Sequence, residues 1–157
     1  GTATTGYGLI KKIEGRKLRK KKEIKYLDFG VIKTDPSLTP GQRLKKLYLE
    51  VLKLIKKYRP AVLAIENLYF FKNLKTAIPI SQATGVILLA TAQRKIPVFE
   101  FTPLQVKMAI TGYGRAEKKQ IQKMVKVLLR LKEVPRPDDA ADALAIALCY
   151  ALLKKGA

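Results

Sequence analysis

The chain holds one cysteine, Cys149, so no disulfide forms within a monomer. Set in an apolar helical run, it reads as a small core residue in a reducing compartment. Histidine is absent altogether, so no imidazole alters the charge near neutral pH. Acidic residues are few, 12 against 32 lysines and arginines. No stretch reaches the roughly 18–20 uninterrupted apolar residues of a membrane helix. The longest candidate, Ala143–Leu153, is short and follows an acidic cluster. Gly1 opens a polar Thr/Gly stretch rather than a basic and then apolar one, so no secretory leader is visible. A cytoplasmic protein with no membrane partner is the expectation.

What is present is charge and a core. At 157 residues, 48% of them hydrophobic, the chain suits one domain, 1–157, well outside the disordered range. A net charge of +20 implies a polyanionic partner, because self-repulsion otherwise disfavours the compact state. Nucleic acid leads, through phosphate contacts and counterion release. An anionic membrane surface and ribosomal-type RNA binding are the rivals.

Hydropathy patterning predicts strands at 6–13 and 25–34, joined by the basic run RKLRKKKEIK at 16–25. A helix opens at Pro40 and Gly41, with Leu44, Leu47, Val51, Leu52 and Ile55 on one face, and ends near Tyr58 ahead of Pro60. The apolar run AVLAIE, 61–66, suits a strand buried on both faces. Further elements are a helix at 78–94, a strand at 97–101, helices at about 103–110 and 116–132, and a last helix from Asp138 to Lys154. The class is α/β, with antiparallel hairpin strands first and crossover-connected strands later. No internal repeat or linker divides the chain.

Asp139 and Asp142 stand three apart at the start of the last helix and project from nearly the same face. The sequence after them is so apolar that the helix is expected to be buried, which places its acids in a partly buried setting. Two carboxylates there repel each other and resist ionisation unless a cation resolves them. Glu66 has the same character, ending an apolar strand at the edge where α/β sheets carry their sites. If the three converge, oxygen ligands without His or Cys select Mg²⁺ or Mn²⁺ over zinc. Two such ions suit phosphodiester hydrolysis. The competing reading is that Asp138 and Asp139 simply cap the helix and meet its dipole, while Glu66 is solvated.

Several stretches taken in order resemble the RuvC resolvases. GTATTGYGLI resembles the segment after the first catalytic Asp, and AIENLYFFKN resembles the second carboxylate motif, with its Glu at Glu66. SQATGVILLA and PVFEFTPLQVKMAITGYGRAEKKQIQKMV resemble the central helix, the next strand and the helical region beyond. DDAADALAIAL resembles the C-terminal motif, with its two acids at Asp139 and Asp142. The resemblance implies a ribonuclease H-like fold with a mixed five-stranded sheet flanked by helices. It implies a homodimer that cuts four-way (Holliday) DNA junctions in recombination and repair, using two Mg²⁺ ions, with Mn²⁺ as the alternative. A branch-migration helicase complex of the RuvA and RuvB type is the implied protein partner. Glu66, Asp139 and Asp142 would be both catalytic residues and metal ligands. Lys107 and Lys118 match positions near the scissile phosphate, and Tyr69 matches an aromatic wedge that stacks on junction bases.

The chain also departs from the pattern. The family's first Asp would lie just before Gly1, on a central strand, so a truncated sequence that cleaves poorly is expected. The basic run at 16–25 is longer than the family's usual hairpin. The helical stripe Lys119, Lys123, Lys126 and Arg130 reads as a solvated face. Tyr69, Phe70 and Phe71 have a core or interface alternative. A non-catalytic junction- or nucleic-acid-binding module of the same fold is the second functional reading. A ribonuclease H-like nuclease acting on hybrids or in transposition is the third.

Overall fold

The computed structural model describes residues 4–13, 23–67 and 72–154. Two strands, β1 (Thr4–Ile13) and β2 (Glu23–Lys33), form an antiparallel hairpin whose register slips between Leu9 and Ile10. Helix α1 (Pro40–Tyr58) follows, opened by a reciprocal cap between Thr39 and Gln42 with Pro40 in its first turn. It ends at Arg59, whose left-handed backbone turns the chain into β3 (Leu63–Glu66). Helix α2 (Leu74–Gln93) leads to β4 (Val98–Phe101), which pairs in parallel with β3. Then come α3 (Pro103–Thr111), α4 (Lys118–Leu128) and α5 (Asp138–Leu153).

The strands expected from the sequence are present in the expected order and sense. Among the described residues, however, they form two separate two-stranded ladders, β1–β2 and β3–β4, with no hydrogen bonding between β1 and β3. Helix α5 ties the halves together by packing across β1, β2, β3 and β4. Leu144, Leu148 and Cys149 of α5 are fully buried, with Phe101, Val106, Ile110, Val125 and Leu129 around them. A smaller cluster of Ile32, Leu47 and Ala83 lies under α1 and α2.

Two glycines let α5 come this close. A Cβ on Gly6 would lie 2.0 Å from the carbonyl oxygen of Asp139, and one on Gly8 would lie 2.6 Å from a Leu144 methyl. Two apart on a strand, they share a face and leave a slot for the helix.

Two helix boundaries differ from expectation. Helix α2 begins four residues early, at Leu74, because the Asn73 side chain accepts a hydrogen bond from the Lys75 amide at 3.0 Å and so caps it ahead of Pro79. Helix α4 ends at Leu128, and Arg130 takes a positive φ of 53°. Leu131 still packs on the core from the turn, which is why the apolar spacing ran past the helix. Helix α2 is long and apolar enough to cross a bilayer by composition alone, yet it carries Lys75, Pro79, Gln82 and Gln93 and packs against α1.

Candidate active site

The acids of α5 sit where helix physics favours them. Asp138 and Asp139 occupy its first turn, where partial positive charge on unpaired amides stabilises carboxylates. Asp142 lies one turn further in, on the buried helix, with half of its side chain still exposed. Glu66 ends β3, half-buried, on the ladder that α5 crosses.

These groups share one electrostatic environment. Burial raises the Glu66 carboxyl above its ordinary value, and the nearby charge of Asp142 raises it further. Burial likewise raises Asp142, with Asp139 and Asp138 adding to the effect and Lys118 opposing it. Lys118, the first residue of α4, places its ammonium 3.3 Å from Asp138 and 3.7 Å from Asp142. The negative charge around it, that of Asp142 first, raises its pKa. Gln122, one turn along α4, donates to the other oxygen of Asp138 at 3.2 Å.

The structure thus brings Asp139, Asp142 and Lys118 within electrostatic reach of one another, and Glu66 within reach of Asp142. Lys107 is partly exposed on α3, with no ion pair among the described residues. Tyr69 and the neighbouring Phe70 and Phe71 lie outside the described residues, as does most of the basic run at 16–25.

As folded, no three His, Cys, Asp or Glu side chains among the described residues are gathered closely enough to hold an ion. The donor chemistry fits a hard divalent cation even so. The groups are carboxylates alone, and two of them, Glu66 and Asp142, have raised pKa values, first because burial penalises their charge and then because of the neighbouring acids.

Two contributors were not singled out from the sequence. Asp138, read only as a cap, carries the nearer contact to Lys118. Gly6 sets how deeply the first turn of α5 seats. The alternation Gly6–Tyr7–Gly8 was the available signal, since it puts two missing side chains on one strand face.

The family model for crossover junction endodeoxyribonuclease RuvC matches residues 1–150. The chain is 53% identical over 152 residues to the crossover junction endodeoxyribonuclease RuvC of Caldicellulosiruptor saccharolyticus, covering 97% of this chain and 88% of that protein. It is equally identical to the enzyme of the same name from Thermosipho melanesiensis, covering 92% of that protein. Thermus thermophilus RuvC, solved in complex with a Holliday junction substrate, superposes with a TM-score of 0.87 at 34% identity, covering 97% of this chain and 88% of that one. The chain belongs to the RuvC family of crossover junction endodeoxyribonucleases.

Proposed function

We propose that this chain resolves four-way DNA junctions in recombination and repair by hydrolysing phosphodiester bonds, with Glu66, Asp139 and Asp142 as the catalytic, metal-holding acids. The observation that carries the reading is the half-buried pair Glu66 and Asp142, both raised by burial and Glu66 further by the charge of Asp142, with Lys118 beside Asp142 in a chain of net charge +20. Mg²⁺ is the ion this oxygen-only set favours, with Mn²⁺ the alternative and two ions per site. When bound, it supplies water activation and stabilises the leaving oxygen.

The remaining work falls to the chain's own side chains. Lys118 screens the acids and presents an ammonium at their edge, where a scissile phosphate would approach. Lys107 offers a second cation from α3, and Tyr69 would stack on an unpaired junction base. A homodimer is proposed through α2, whose Leu74, Ile78 and Leu89 are more than half exposed. A branch-migration helicase of the RuvA and RuvB type is the proposed protein partner, and the cytoplasm the proposed setting.

The test is a Mg²⁺ titration on a synthetic four-way junction, with the chain alone and preceded by the family's first strand and its Asp. Asp139→Asn and Asp142→Asn are expected to abolish cutting while sparing junction binding. Undiminished cutting by both variants would reject the assignment. Binding with no Mg²⁺-dependent nicking in any form would leave a non-catalytic binding module. Preference for an RNA–DNA hybrid over the junction at matched salt would point to a different ribonuclease H-like nuclease.

A further inference from the structure

Beside the acids lies a cleft of about 600 Å³, lined in part by Lys119, Lys123, Arg136, Pro137, Asp138 and Asp139. Its cations come from two separate elements. Lys119 and Lys123 stand one turn apart on α4, a spacing of about 5–6 Å between Cβ atoms. Arg136 arrives from the segment that leads into α5. Their convergence therefore does not follow from helical periodicity. A merely solvated stripe would treat Lys119, Lys123 and Arg130 alike, yet Arg130 lies outside the cleft and pairs with Glu23 at 3.2 Å.

The cations in the cleft are left uncompensated. Asp138, the acid beside them, is engaged by Lys118 at 3.3 Å and by Gln122 at 3.2 Å. Among the described residues, Lys119, Lys123 and Arg136 form no ion pair. Asp139, one of the candidate catalytic acids, lines the same cleft. Its acids repel a bare phosphate and its cations attract one.

We propose that this cleft is a phosphate track: Lys119, Lys123 and Arg136 grip the backbone of the strand being cut, one or two nucleotides from the scissile phosphate. The proposal rests on the junction-cleaving reading and adds to it a specific binding subsite. The grip acts on the backbone alone, so it positions the strand without reading its sequence.

The experiment compares two triple variants of equal charge by fluorescence anisotropy on a labelled four-way junction across a range of salt. One removes the cleft cations, with Lys119→Gln, Lys123→Gln and Arg136→Gln. The other removes exposed cations of α1, with Lys45→Gln, Lys53→Gln and Lys56→Gln. The slope of log affinity against log salt is expected to become shallower by about 2–3 in the cleft variant and by less than about 1 in the control. A second arm uses junctions carrying uncharged methylphosphonates beside the cut site. These are expected to weaken the wild-type chain but to cause no further loss in the cleft variant, since the contact they remove is already gone. Equal slopes for the two triples, or equal sensitivity to the neutral linkages in wild type and cleft variant, would overturn the track. A wild-type chain that fails to bind the junction would overturn the junction reading and the track with it.

Discussion

Helices α1 and α5 are similar in length, at 19 and 16 residues, yet they meet the rest of the molecule in opposite ways. Helix α1 buries Leu47 and Ile55 and turns its lysines to water. Its one ion pair among the described residues, Lys53 with Glu50 at 3.2 Å, is an exposed contact one turn apart. Helix α5 buries seven residues and carries charge only at its N-terminal end. There, burial raises Asp142, the charges of Asp139 and Asp138 add to the effect, and Asp142 in turn helps to raise Glu66. The difference shows that charge acts through its surroundings. On α1 solvent screens it, whereas on α5 partial burial makes it both costly and chemically useful.

The strongest way to break this contrast is at the glycines. Gly6→Ala sets a methyl group 2.0 Å from a backbone oxygen of α5 and is expected to cost about 3–4 kcal/mol, read as a lowered urea midpoint. Gly41→Ala, in the first turn of α1 with nothing within 4 Å, is expected to be neutral or to gain up to about 1 kcal/mol.

Next in size is truncation of a leucine on each helix. Leu144→Ala empties a fully buried site on α5 and is expected to cost about 3 kcal/mol. Leu49→Ala on α1, where the side chain is 46% exposed, is expected to cost less than about 1 kcal/mol. Equal losses in chemical denaturation would erase the distinction between the helices.

A smaller effect sharpens the contrast in pH. The folded-state pKa of Glu66 is raised above its ordinary 4.5, so the protonated form favours folding. Its contribution is full below pH 4.5 and is lost as pH rises through the folded value. In metal-free buffer at neutral pH, Glu66→Gln is therefore expected to raise Tm by about 2 °C and to flatten the decline of Tm above pH 4.5. A lower Tm for this variant at neutral pH would contradict the burial argument. The smallest effect belongs to Lys53→Ala, expected to cost less than about 0.5 kcal/mol and to vanish in high salt.

Much of this organisation was legible beforehand because it follows from local chemistry. Pro40 with Gly41 announced the start of α1, and the apolar run after Asp142 announced a buried helix. The chain motifs around Glu66 and Asp139 located two arms of the site before any coordinates. The depth of Gly6 against Asp139 was not legible, since a strand glycine signals close approach without naming what approaches. The contact of Lys118 with Asp138 and Asp142 joins two helices across a turn, and periodicity within either helix is silent about it. The solvated reading of Lys119 and Lys123 treated α4 as a single stripe. Arg136, from outside that helix, lines the same cleft as Lys119 and Lys123.

Because one helix both joins the two ladders and begins with the acids, the site has no mechanical independence from the interior. A substitution at Leu148, well removed along the chain from Asp139, would be felt as a misaligned first turn before it was felt as unfolding. Inherited variation in that segment should accordingly register as lost cutting in protein that is still folded, soluble and able to hold DNA.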